Sequence, residues 1–225
     1  MKVFLRNGMS GALMLMLAVV AAEPIAAGDW VSPYDYPVAA LKEKRSGASG
    51  FILRVSAEGR PLSCEISGSS GSQDLDRQTC VVVMRRARFK PARDAAGRAM
   101  PSVYRNRNSW WVGDGHPPAV PPMRLDLELS VAKLPPGVED PARVDVAFLV
   151  GANGSLSDCT ALPPDPPAKP GSKKGKAQRK AVELLGPTAC AQAASSKLKP
   201  FVDDSGSAVP SIQIVKVAFA ADTAS

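Results

Sequence analysis

The chain states one pattern twice, and that repetition limits the folds open to it more than any other feature. FILRVSAEGRPLSC (Phe51 to Cys64) aligns with VAFLVGANGSLSDC (Val146 to Cys159) at a constant offset of 95 positions. Phe51, Leu53, Val55, Gly59 and Cys64 then fall on Val146, Phe148, Val150, Gly154 and Cys159. Farther on, FKPARDAAGRAMP (Phe89 to Pro101) aligns with LKPFVDDSGSAVP (Leu198 to Pro210) at an offset of 109. A chain of 225 residues holding such a repeat is expected to form two small units rather than one large one. The larger second offset comes from PPDPPAKPGSKKGK (Pro163 to Lys176), a Pro-, Gly- and Lys-rich insertion that reads as an exposed loop. If each half folds alone, the parsimonious pairing of the four cysteines is Cys64 with Cys80 and Cys159 with Cys190, because a disulfide needs its Cα atoms within about 7 Å.

The amino terminus reads as an address. Lys2 and Arg6 precede the apolar run Ala12 to Ala22, and Val20-Ala21-Ala22 offers small residues to a signal peptidase. Glu23 and Pro24 stop the run short of the roughly 20 apolar residues that span a bilayer, which favours a cleaved leader over residues 1–22 above a retained anchor. Export implies an oxidising compartment, where four cysteines are expected as two disulfides rather than as ligands or nucleophiles.

Within the first unit, residues 34–112, Pro37 to Lys44 is expected to form a short helix. Phe51 to Ile66 alternates apolar and polar residues about the turn Glu58-Gly59-Arg60-Pro61, the pattern of a β-hairpin. Ser72 then stands where a helix cap belongs, with Asp74 and Asp76 in the first turn and Arg85 and Arg86 in the last. Cys80, Val83 and Ala87 share one helical face, so the Cys64–Cys80 bond would pin helix to hairpin. A last strand runs from Pro101 to Trp111. The second unit, 123–219, is expected to repeat the order after the linker 113–122, with Val144 to Val150, a turn at Asn153-Gly154, a helix around Cys190 and a strand Ile212 to Phe219. The fold class is therefore α+β, two tandem α-β-β-α-β units, each an antiparallel sheet packed on helices.

Catalytic chemistry finds no support. The single His116 is flanked by linker prolines, the serines of Gly68 to Ser72 lack the G-x-S-x-G spacing, and the acidic pairs Asp74/Asp76 and Asp203/Asp204 suit a helix start and a turn. No metal or cofactor site can be assembled. The formal charge of +7 includes Lys2 and Arg6 of the leader, and three Trp and three Tyr are too few for a base-stacking platform, so nucleic acid is not expected. Two basic clusters, Arg85 to Arg93 and Lys169 to Lys180, suit solvated surfaces or weak contact with an anionic membrane surface.

YPVAA (Tyr36 to Ala40), the hairpin turn at Gly59, SSGSQDLD (Ser69 to Asp76) and FKPARDAAGRAMP, taken in that order, resemble the carboxy-terminal domain of TonB-type energy transducers. The second unit resembles it more faintly. The resemblance implies a periplasmic, non-enzymatic interaction module that contacts an outer-membrane receptor or another envelope protein by pairing its last strand with an extended peptide. Carried onto this sequence, the contact would use Tyr104, Arg105, Trp110 and Trp111 in the first unit and Ile212 and Ile214 in the second. The same aromatics would serve equally to cover a core. The family's membrane helix carries a His that engages a motor complex and precedes a long spacer. Here the apolar run has no His and about a dozen residues reach only about 40 Å, so a membrane-anchored energy transducer is the second reading and a passive envelope protein the third.

Overall fold

The computed structural model describes residues 18–113, 125–164 and 171–222. Residues 1–17 of the expected leader, His116 with most of the linker, and 165–170 of the insertion lie outside the described residues. Seven strands form the main sheet: β1 Gly47–Val55, β2 Pro61–Gly68, β3 Ser102–Trp110, β4 Leu127–Val131, β5 Ala142–Val150, β6 Leu156–Ala161 and β7 Ser211–Ala221. Among the described residues three α-helices accompany them: α1 Val38–Lys42, α2 Gln73–Arg86 and α3 Lys173–Ala193.

Alternation produces the hairpins as expected. Every second residue of β1 is buried along its whole length, and β1 pairs antiparallel with β2 from Phe51↔Ile66 to Leu53↔Cys64. Gly59 turns the chain at φ +80°, and a Cβ there would lie 2.1 Å from the Phe89 carbonyl oxygen. Its counterpart Gly154 turns at φ +81° with a Cβ position 3.3 Å from the Leu198 carbonyl oxygen, so two equivalent glycines face two equivalent residues. Asp94 and Asp203 likewise close matching turns, each carboxylate accepting from two backbone N–H groups. Both disulfides join a hairpin's second strand to the following helix, Cys64 to Cys80 with Cα atoms 5.5 Å apart and Cys159 to Cys190 with 5.8 Å.

Three expectations need correction. The second half begins with strand β4 rather than a helix, because Leu125 to Val131 alternates apolar and polar strictly, a period that no helix can bury on one face. Leu127, Leu129 and Val131 pack against the core beneath α3 while β4 runs parallel to β7. The insertion is not all loop: Lys173 to Lys176 form the first turn of α3, and Ser172 caps it by accepting from the Gly175 N–H at 3.1 Å. Ser72 does occupy the N-cap position of α2 but makes no side-chain cap bond; its hydroxyl accepts from Arg45. Asp76 secures this corner instead. Burial pushes its carboxyl up, but hydrogen bonds from Ser69, the Ser70 backbone and Ser49 outweigh that and hold it below the usual range.

The sheets of the two halves are also one sheet. Its order is β6-β5-β7-β3-β1-β2, with β4 beside the far half of β7. β7 and β3 meet in parallel at the single pair Ile212↔Ser102, where the Ile212 N–H donates to the Pro101 carbonyl at 2.8 Å. Paired residues in a ladder point to the same face. Ser102 shares its face with Leu53, Tyr104 and Trp110, which lie under α2, whereas Val215, Val217 and Phe219, under α3, point away from the Ile212 face. The two long helices therefore cover opposite faces of a continuous sheet.

Each half fills the face that the other leaves bare. Ala92 and Met100 of the first half pack on Ala147 and Ile212 of the second. Phe201 of the second half lies under Arg54 of the first, with the guanidinium 4.5 Å from the ring centroid. Beneath α2 the rings of Trp30, Phe89 and Tyr104 meet edge to face at centroid distances of 4.9–5.9 Å. Fully buried side chains such as Leu53, Leu75 and Phe219 contribute about 1.5–3 kcal/mol each.

Asp35 ties the segment before α1 to the end of α2. Both its oxygens accept from Arg86, at 2.8 Å for Nη2 to Oδ1, and Oδ2 also accepts from the Ser32 N–H and hydroxyl. The hydrogen-bonding Arg86 guanidinium pulls the Asp35 carboxyl down to about 2, against burial and with help from Ser32. Because the folded value is depressed, this stabilisation is complete above the ordinary value of 3.8 and is lost as pH falls through about 2.

Two outcomes follow for stability. Asp35→Asn should cost about 1.5–3 kcal/mol at neutral pH, and urea melts across the acid range should show a shallower loss of stability than the parent between 3.8 and about 2. Replacing Cys159 and Cys190 together by Ala should cost about 2–5 kcal/mol, roughly 0.6 kcal/mol more than replacing Cys64 and Cys80, because the ring is about twice as long. The separations are 31 and 16 residues.

Candidate interaction edge and cleft

β3 has two edges in different states. Its inner edge pairs with β1 throughout, from Val55↔Ser102 to Gly47↔Trp110. Its outer edge meets β7 at Ser102; beyond that the two strands diverge, and among the described residues no further strand pairs with it. The divergence has a cause in β7, whose far half is held by β4 from Val217↔Leu127 to Ala221↔Val131.

Asp126 sits in the fork. Its N–H donates to the Lys216 carbonyl at 3.0 Å, its Oδ2 accepts from the Lys216 N–H at 2.9 Å, and its Oδ1 accepts from Arg105 at 2.7 Å. One residue thus satisfies the β7 edge and holds it to β3. Lys216 extends to Asp145 at 2.7 Å, so the charges at the fork are paired. Above the fork opens a cavity of about 480 Å³, walled by Val20 to Pro24, by Val103 to Arg105 of β3 and by Ile214 and Lys216 of β7.

The residues expected to bind a partner separate into two groups. Arg105 and Ile214 are brought together at this cavity, whereas Tyr104 reaches the wall but keeps its ring in the core, edge to face with Trp30 and Phe89. Trp111 is 43% exposed at the end of β3. Trp110 is instead a core residue, its Nε1 donating to Thr79 at 2.8 Å and its ring edge-on to Tyr36 at 5.3 Å. Ile212 is buried at the joint of the sheet. Trp110 offers no side chain to a partner, because the even-numbered positions of β3 face α2, and Ile212 is covered by Val19, Ala92 and Ala147 on the face opposite α3.

The basic cluster of the first half is engaged internally. Arg86 holds Asp35, Arg88 donates to the Arg85 and Ala87 carbonyls, Lys90 pairs with Glu23 at 3.0 Å, and Arg93 donates to the Gly97 carbonyl. Asp126 was not singled out from the sequence, and Val20 to Pro24 were read as the end of a leader rather than as a wall of this cavity. The alternation around Asp126 was the available signal. Among the described residues no group of three or more His, Cys, Asp or Glu could hold a metal ion.

Comparison with known families bears on the half that carries this edge. Residues 32–108 match the family model for the Gram-negative bacterial TonB protein C-terminal. The matched stretch contains α1, β1, β2, α2 and nearly all of β3, so the outer edge of β3, where the Arg107 N–H donates to Asn106 Oδ1 at 2.8 Å, lies in the TonB-like unit. No curated protein and no solved structure matches the chain. The match takes in the turn anchored by Asp35 and the corner anchored by Asp76, which marks both as supports of the TonB-like unit rather than of its neighbour.

Removing the Asp126 carboxylate should loosen the fork without unfolding the sheet. Asp126→Ala is expected to cost about 1–2 kcal/mol and to speed hydrogen exchange at the Lys216 amide, read by NMR, while amides of the β1–β3 ladder keep their protection.

Proposed function

We propose that the protein is a non-enzymatic interaction module of the periplasm that binds an extended segment of an outer-membrane receptor or other envelope protein by strand addition along the outer edge of β3. One observation carries this reading: in the unit that matches the TonB family, the final strand has a ladder partner on its outer edge at Ser102 alone among the described residues. Such an edge supplies main-chain hydrogen bonds to any extended peptide, and flanking side chains supply the preference. Arg105 and Trp111 flank it here, with Ile214 across the fork.

The second half is read as a diverged copy of the same unit. The equivalent glycine turns, Asp-closed turns and strand-to-helix disulfides support that reading. Its own last strand is engaged on both sides, by β5 and then by β3 and β4, so it serves as a scaffold while the first copy keeps the receptor edge. Export with a cleaved leader accompanies this function. Among the described residues no helix is long and apolar enough to cross a membrane.

Titration of the labelled protein with extended receptor segments should shift the amides of Arg105 to Ser109, and a segment with proline at its pairing positions should shift none of them. Absence of shifts along β3 at saturating peptide would refute binding at this edge.

A further inference from the structure

The residues just ahead of Pro24 behave as a strand already added to the first unit. Val20 and Arg93 exchange both backbone hydrogen bonds at 2.8 Å, Glu23 and Pro24 pair with Lys90 and Phe89, and the Ile25 N–H donates to the Arg88 carbonyl at 2.8 Å. Val19 is only 2% exposed, packed on Ala92, Ala147 and Ile212. This small cluster bridges the halves, on the face of β5 and β7 opposite α3. Val20 points outward at 51% exposure, and Ala21 and Ala22 pack beside the same cluster. Yet Val20-Ala21-Ala22 is the expected cleavage sequence of the leader. A groove filled by residues that processing would remove is a groove left open in the finished protein.

We propose that a signal peptidase hydrolyses the Ala22–Glu23 bond before the exported chain folds, so that this groove forms empty and receives the carboxy-terminal tail of a partner protein ending in small or β-branched apolar residues. The departing segment shows what fits. Arg93 offers one N–H and one C=O to an antiparallel strand, and the floor of Ala92, Ala147 and Ile212 takes a valine-sized side chain four positions from the tail's end. The end itself is specified by charge. Water adds across the broken bond, leaving the carboxylate on the departing leader and a new α-ammonium on Glu23 at the mouth of the groove. A tail lying in the direction of Val19 to Ala22 brings its own terminal carboxylate to that ammonium. The proposal rests on the export read above but not on strand addition at β3; the groove adjoins β3 at Val103 to Arg105, so the two are told apart by the amides of Arg107 to Ser109, which do not line the shared cavity.

The test uses the protein as isolated from the periplasm. Mass spectrometry of its amino terminus should give Glu23, and the free-acid peptide Ala-Val-Val-Ala-Ala should then shift the amides of Ala92, Arg93, Ala147 and Ile212. Amidating the peptide, or placing Asp at its second position, should weaken binding at least about tenfold. A mature chain that retains Val19 to Ala22 fills its own groove and overturns the proposal. So does a chain starting at Glu23 that shows no shifts at millimolar peptide, or one that binds acid and amide equally. Shifts along Arg107 to Ser109 without shifts in the groove would overturn this proposal while leaving the β3 reading intact, and the converse pattern would do the reverse.

Discussion

The architecture depends on one short contact, the parallel pairing of Ser102 with Ile212. It makes two small sheets into one, and because it is a single pair it lets the strands separate beyond it. Had β7 continued along β3, the last strand of the TonB-like unit would have been enclosed. β4 prevents this by holding the outer half of β7, and Asp126 fixes the angle by bonding the β7 backbone and the Arg105 side chain together. The openness of β3 is thus a consequence of what its neighbour is already paired with.

The same contact settles how the halves protect each other. A parallel joint between β3 and β7 turns one half of the sheet over relative to the other, so α2 and α3 lie on opposite faces and each half has a bare side. Those sides are covered reciprocally, by Ala92 and Met100 on one face and by Phe201 on the other. Units this small bury limited apolar area on their own, and mutual covering together with two disulfides compensates for that. The local anchors, Asp35 with Arg86 and Asp76 with three serines, then fix the ends of α2 against the sheet.

Much of each unit was legible in the sequence because its signals are local. Alternation at Phe51 to Ile66, the glycine at each tight turn and the offset cysteines specify a hairpin, a turn and a pairing within a few dozen residues. What escaped depends on distant partners or on a misleading analogy. β4 alternates as clearly as any strand in the chain, but the expectation that the second half repeats the order of the first placed a helix there. Trp110 and Trp111 look equivalent as neighbours, and only strand parity separates the one facing α2 from the exposed one. Nothing near Ile212 announces that it will meet Ser102, since that contact joins residues far apart in sequence. The packing of Val19 was hidden by the segment's reading as part of a leader.

The joint itself is the most direct point to measure. Amide hydrogen exchange at Ile212, whose N–H is donated to Pro101, should be as slow as exchange at Val215 and Val217 in the centre of the second half. Exchange at Ile212 as fast as at exposed turn amides such as Gly97 and Gly206 would mean that the halves do not share a sheet, and the fork beside β3 would not exist.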